Sequence, residues 1–108
     1  MERLEEVLNR IDQFNKDRDW DKFHSLANLS KSICIESCEL LENFQWSDDE
    51  YDLVNVKEEL ADVIIYCLQM AIRLGVDPID IINNKMDKNE LKYPVNKANG
   101  VSTKYDKF

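Results

Sequence analysis

Four amphipathic segments joined by short connections, in a chain almost free of glycine and proline, describe an all-α helical bundle. Only two Gly and two Pro occur in 108 residues, too few for the tight turns of a β architecture. Apolar residues recur at every third or fourth position, the period of a helix with one buried face. A chain of this length holds one core, so a single domain over residues 1–108 is expected, with an extended tail from about residue 94.

The first helix is expected over about Glu2 to Arg18, where Leu4, Val7, Leu8, Ile11 and Phe14 make one apolar stripe. "DRDWDKFHS" breaks that pattern, and a second helix follows from about Ser25 to Phe44 with Leu26, Leu29, Ile33 and Leu40 on one face. "SDDE" at residues 47–50 has capping-box spacing, placing Ser47 at the N-cap and Glu50 at N3 of a third helix. That helix should stop at Gly75, a residue suited to the left-handed conformation after a helix end. In "VDPID", Asp77 is the expected N-cap and Pro78 the first residue of a fourth helix reaching about Lys92, which Pro94 ends.

Charge and apolar patterning exclude several classes of function. A formal net charge of −8 repels phosphate at long range, so neither nucleic acid nor an anionic membrane is an expected partner, and a phosphate ligand must arrive with cations. The amphipathic, acidic N-terminus lacks the character of a targeting peptide, and the longest apolar run, Leu60 to Ile72, is too short to span a bilayer. A cytoplasmic protein is expected. Cys34, Cys38 and Cys67 lie within apolar helical patterns and are read as buried small side chains, without disulfides.

The third helix has a narrow polar side. Glu59, Asp62, Tyr66, Gln69 and Arg73 fall within an arc of about 80° on an ideal helix, while nearly every other position from Leu60 to Ile72 is apolar. Such a helix is surrounded by protein, with its polar stripe lining a pocket. A bundle of this size has too few neighbours to cover the rest, so Ile64, Ile65, Leu68 or Ile72 should contribute to a subunit interface of an oligomer.

Two acid pairs carry the chemistry: Glu36-x-x-Glu39 on the second helix and Glu59-x-x-Asp62 on the third. Residues three apart share a helix face, and Glu36 continues the apolar series Leu29, Ile33, Leu40, so it should point inward. Buried carboxylates need cations to stay ionised. With all-oxygen donors and a single His in the chain, hard Mg²⁺, or Mn²⁺ in its place, fits better than zinc or copper. The Glu-x-x-His of di-iron bundles is missing from both pairs.

Glu-x-x-Glu, a spacer of 19 residues, then Glu-x-x-Asp resembles the signature of the MazG-like all-α nucleoside triphosphate pyrophosphohydrolases. "RDWDKFH", "ELLENFQW", "EELADVIIYCL", "KMDKNELKYPV" and "KYDKF" occur in the order found in the small dCTP pyrophosphatase branch. The resemblance implies a four-helix MazG-like bundle, a tetramer built from dimers, and Mg²⁺-dependent hydrolysis of a nucleoside triphosphate to the monophosphate and pyrophosphate. The substrate would be dCTP or a related or modified dNTP, in a nucleotide-pool cleaning role. Glu36, Glu39, Glu59 and Asp62 would hold the metal, with one of them, Glu39 by preference, as general base.

By the same likeness, Trp20, Asp21, Lys22, Phe23 and His24 match the loop around the nucleoside, Trp46 a second pocket tryptophan, and Tyr66 the tyrosine one turn past the acids. Lys85, Asn89 and Lys92 share a face at i, i+4 and i+7 and would bring cations to the phosphates, while Lys104 and Tyr105 match a Lys-Tyr pair that closes over them. Lys92 stands where the family often has Arg; lysine keeps the charge and loses the bidentate fork. Ile11 stands where dCTP-selective enzymes carry a polar residue. The competing reading is a catalytically silent helical module that oligomerises or binds a nucleotide.

Overall fold

A computed structural model describes residues 2–107, so the Phe108 that closes "KYDKF" lies outside the described residues. All regular structure among those residues is helical, as the sequence predicts. The chain divides into two compact units, Met1–Val76 and Asp77–Phe108.

In the first unit, α1 (Arg3–Asp17) carries the apolar stripe of the N-terminal segment. Asp19 then takes a left-handed φ of 52°, a conformation that Asp tolerates better than most residues. This turn brings the Trp20 amide back to donate to the Asn15 carbonyl at 2.9 Å. A short 3₁₀ turn, Asp21–Phe23, leads to α2 (Leu26–Glu42), capped by Ser25, whose hydroxyl accepts from the Asn28 amide at 3.1 Å. The longest helix, α3 (Leu53–Leu74), packs along α2 and also against α1. It ends where expected, with Gly75 at φ 69° and its amide donating back to Ile72.

The start of α3 differs from the capping-box expectation. Ser47 Oγ does accept from the amides of Asp49 and Glu50, at 3.2 and 3.0 Å, but the turn so formed is not continued as a helix. Asp52 is the N-cap instead, its Oδ1 accepting from Val54 and Asn55 at 3.0 and 3.2 Å. Both motifs satisfy free amides, and a carboxylate at the positive end of a long helix has the stronger electrostatic reason to be the cap. Two contacts then close the α2–α3 hairpin. The Asn55 side-chain amide donates to Asn43 Oδ1 at 2.8 Å, and the Phe44 and Tyr51 rings stand 4.9 Å apart.

Leu29, Ala71 and Ile11 are the buried hydrophobic residues among those described, and Asn15, only 4% exposed, is buried with them. The three cysteines, expected inside, are free and exposed. They stand on exposed faces of α2 and α3, so the apolar pattern around them is not a record of burial within one chain.

The second unit begins with α4 (Pro78–Lys92), capped by Asp77 accepting from the Ile79 amide at 2.8 Å, with Pro78 in the first turn. Beyond it, α5 (Val95–Ala98) and a 3₁₀ turn (Tyr105–Lys107) interrupt the otherwise extended tail. The Tyr105 ring packs edge-on against Tyr93 at 5.9 Å, with the Lys92 ammonium 4.8 Å from its centroid.

Replacing the observed cap, Asp52→Ala, should lower stability by about 1 kcal/mol, the usual cost of losing an N-cap. Glu50→Ala, which would remove the N3 acid of the expected capping box, should change it by less than about 0.5 kcal/mol, as an exposed substitution does. Urea denaturation of both variants compares them directly; equal losses would mean that the helix begins at Ser47.

Candidate functional site

The hairpin sets the two acid pairs face to face. Glu36 and Glu39 lie in the second half of α2, Glu59 and Asp62 in the first half of α3, and the Asn43–Asn55 bond at the connected end of the hairpin fixes the register between them. Glu36, Glu59 and Asp62 each place a carboxylate oxygen within 4.8 Å of the other two. Glu39 joins the group through its interactions with both Glu36 and Glu59. Beside them a cleft is lined by Glu39, Glu42, Glu59, Asn43 and Asn55. Glu42, whose role the spacing alone leaves open, therefore shares a solvent-filled wall with two of the acids.

Such crowding disfavours ionisation. Burial, then hydrogen bonding with Glu39, then the negative charges of Glu39, Asp62 and Glu59 push the Glu36 carboxyl up from 4.5 to about 7. Glu59 is raised by the same causes, with Glu58 adding a further like charge. Glu36 Oε2 and Glu59 Oε2 are buried and accept no hydrogen bond from the protein. Oxygens in that state, in a set with no nitrogen or sulfur donor, fit a hard divalent cation held by Glu36, Glu59 and Asp62, with Glu39 adjacent.

Asp62 also faces the other way. Together with Val7, Arg10, Ile11, Phe14, Asn15, Trp20, His24, Ile65, Tyr66 and Gln69 it lines a largely apolar cavity of about 460 Å³ between α1 and α3. The polar stripe of α3 does line a pocket, as its narrow arc implies. Trp20 is held at the rim by an edge-to-face contact with Phe14 at 5.7 Å, and the Arg18 guanidinium covers the Phe14 ring at 3.7 Å. A smaller polar cavity adjoins it, sharing Asn15, His24 and Gln69, and adds Asp21, Arg73 and the Asp12–Lys16 ion pair.

Of the expected nucleoside residues, Trp20, His24 and Tyr66 thus meet in one cavity and Asp21 in its neighbour. Lys22 instead pairs with Asp19 at 3.1 Å and lies 5.3 Å from the Phe23 ring, and both Lys22 and Phe23 are exposed. Trp46, 89% exposed, stands on the α2–α3 connection away from the cavities described. Within the second unit Lys85 and Lys104 are exposed, Asn89 and Lys92 half-buried, and Tyr105 is tied to Tyr93 and Lys92. Asn15, which sequence reasoning did not place in the site, and Gln69, expected on the pocket-lining stripe but given no role there, line both cavities. The signal for Asn15 was present: a buried amide continues the stripe of Leu8 and Ile11, as Glu36 continues that of α2.

The model of the MazG-like family matches residues 31–108. The proteins named dCTP pyrophosphatase 1 from Bos taurus and Homo sapiens are both 35% identical over 111 aligned residues, which take in 94% of this chain. The chain spans just under two thirds of their length, 66% and 65%. The crystal structure of a pyrophosphatase from Archaeoglobus fulgidus superposes with a TM-score of 0.82 at 39% identity, covering 87% of this chain and 94% of that one.

The raised carboxyls set a pH dependence. A carboxyl with a higher pKa in the fold than in the unfolded chain binds its proton more tightly when folded. Its burden on stability is therefore absent below about 4.5 and complete above about 7. In a chelating buffer the melting temperature should fall as pH rises through that window. Glu36→Gln should flatten the fall, and Mg²⁺ should raise the melting temperature more at the alkaline end than at the acid end. A melting temperature that climbs with pH in the chelating buffer, together with an unaltered Glu36→Gln profile, would contradict this assignment.

Proposed function

This chain belongs to the MazG-like family, and from that membership we propose that it is a Mg²⁺-dependent nucleoside triphosphate pyrophosphohydrolase. The substrate is a deoxynucleoside triphosphate, dCTP or a related or modified dNTP, cleaved to the monophosphate and pyrophosphate. The role is removal of unwanted nucleotides from the pool, within the cytoplasm. One observation carries the reading: Asp62 belongs to the acid cluster and to the aromatic cavity at once. A ligand that spans this point needs a cation-binding polyanion at one end and a flat apolar group at the other, which describes a nucleoside triphosphate.

The roles of the side chains follow from this placement. Glu36, Glu39, Glu59 and Asp62 form the cation site, and their mutual repulsion makes them bind the polyphosphate only when cations come with it. Mg²⁺ held there supplies the positive charge that neutralises the triphosphate and lowers the pKa of the attacking water. Glu39, in contact with Glu36 and Glu59 and open to the cleft it shares with Glu42, is the general base. Trp20, His24 and Tyr66 hold the base, whose faces stack on aromatic rings without needing hydrogen bonds. Asp21 lines the adjoining polar cavity, Lys22 and Phe23 stand exposed beside it, and Trp46 is left apart from both cavities in the single chain. Lys85, Asn89, Lys92, Lys104 and Tyr105 of the second unit are assigned to the phosphates by the family likeness. The whole chain acts as one domain.

The working form is a homo-oligomer, a dimer or a tetramer built from dimers. Among the described residues only three hydrophobic side chains are buried, whereas Leu60 and Ile64 on α3 are 46% and 48% exposed and Ile35 and Leu41 on α2 are 58% and 66% exposed. An apolar surface on this scale is the mark of an association face.

Incubation with a panel of dNTPs and Mg²⁺ should yield a monophosphate and pyrophosphate in equal amounts, read by anion-exchange chromatography, and no inorganic phosphate. Glu39→Gln and Glu59→Gln should each lower kcat by roughly 100-fold or more, as losing one electrostatic or proton-transfer element does. Absence of turnover on every nucleotide, with Glu39→Gln as stable as the native chain in Mg²⁺, would favour the silent module. Light scattering at micromolar concentration should give a mass above that of one chain, and a monomer would refute the association face.

A further inference from the structure

Taking the nucleotide reading of the site as its premise, we infer that Asn15 and Gln69 form an amide pair that reads the hydrogen-bonding edge of the base. The pair selects a base with an exocyclic amino group over its keto counterpart. Asn15 Oδ1 and Gln69 Oε1 are buried and accept no hydrogen bond from the protein. Both side chains line the aromatic cavity and the smaller polar cavity beside it, so they stand on the wall the two have in common. One comes from α1 and the other from α3.

A role in packing alone does not account for them. Asn15 is 4% exposed and occupies a position of the apolar stripe that a leucine would fill without any polar group to satisfy. A buried amide oxygen without a donor is uncommon in folded proteins and calls for a ligand, water or ion to complete it. Neutral amides have no charge with which to hold phosphate or a cation, and the acids already provide for the cation. What remains within reach of a cavity walled by Phe14, Trp20 and Tyr66 is a neutral aromatic ring with N–H groups on its edge.

The selectivity follows from counting donors. An exocyclic amino group, as on cytosine, offers two N–H bonds and can satisfy both oxygens. In uracil the same ring position carries a carbonyl oxygen, an acceptor turned towards two acceptors, which both amides would have to turn over to meet. Sites that hydrogen-bond a substrate group discriminate strongly against the analogue lacking it, because their own buried groups are then left unpaired.

The pair dCTP and dUTP, differing only on that edge of the ring, tests the assignment. The native protein should show kcat/KM for dCTP at least about 10-fold above that for dUTP. Asn15→Leu and Gln69→Met should each reduce the ratio by roughly 10-fold or bring it to near one. Gln69 is half-buried and methionine keeps its length, so that variant serves if Asn15→Leu does not fold. Calorimetric affinities for dCMP and dUMP give the same ratio without turnover. A native ratio near one, a preference for dUTP, or an unchanged ratio in folded Gln69→Met overturns the assignment and leaves the hydrolase standing. If no triphosphate is hydrolysed, the hydrolase reading falls instead. The monophosphates then decide the amide pair, with a dCMP preference that Gln69→Met abolishes supporting it and equal or absent binding refuting it.

Discussion

Carboxylates that repel one another across the α2–α3 seam are the constraint on which the rest of this structure depends. Hydrophobic contact between the two helices brings Glu36, Glu59 and Asp62 within 4.8 Å, and Glu39 beside them adds a further like charge. Left alone, the cluster raises the proton affinity of Glu36 and Glu59 and strands two buried oxygens. The arrangement is more stable with protons or cations present, which makes it a poor structural element and a fitting place for a cation. The Asn43–Asn55 bond and the Phe44–Tyr51 contact at the hairpin end hold the seam in register against that repulsion.

Placing the cluster at the edge of an aromatic cavity turns a cation trap into a site for a composite ligand. The division of labour runs along α3, whose polar stripe passes from Glu59 and Asp62 through Tyr66 to Gln69 and Arg73, from charge to aromatic face to amide. On the proposed reading, each turn of the helix would meet a different part of the substrate. The apolar remainder of α2 and α3, with Ile35, Leu41, Leu60 and Ile64 exposed in the single chain, is the counterpart of this arrangement: residues freed from the core of one chain are available to a second.

Much of this was legible in the sequence because it depends on local patterning. The helical period, Gly75 after α3 and the Asp77–Pro78 start of α4 are signals carried by a few adjacent residues, and the structure agrees with each. The convergence of the acids was legible because Glu36 and Asp62 interrupt apolar series, and a polar residue at such a position points inward. Where two local signals compete, pattern does not rank them: Ser47 and Asp52 both accept amides, and α3 begins at Asp52, whose carboxylate has the stronger electrostatic claim on a helix N-terminus. Apolar context likewise does not say which surface covers a residue, and the cysteines taken for core stand exposed in one chain. Gln69 was legible as part of the pocket-lining stripe but not as a group with a role, because an amide on a polar stripe is unremarkable until its oxygen is found without a donor.

Binding of Mn²⁺ as a stand-in for Mg²⁺ tests the central claim most directly. Crystals grown or soaked with Mn²⁺ should show an anomalous peak coordinated by carboxylate oxygens of Glu36, Glu59 and Asp62, at the distances of hard-cation coordination, and the peak should be lost in Glu59→Gln. Crystals in which the acid seam stays empty at millimolar Mn²⁺, or in which the Glu59→Gln peak is as strong as the native one, would contradict the account.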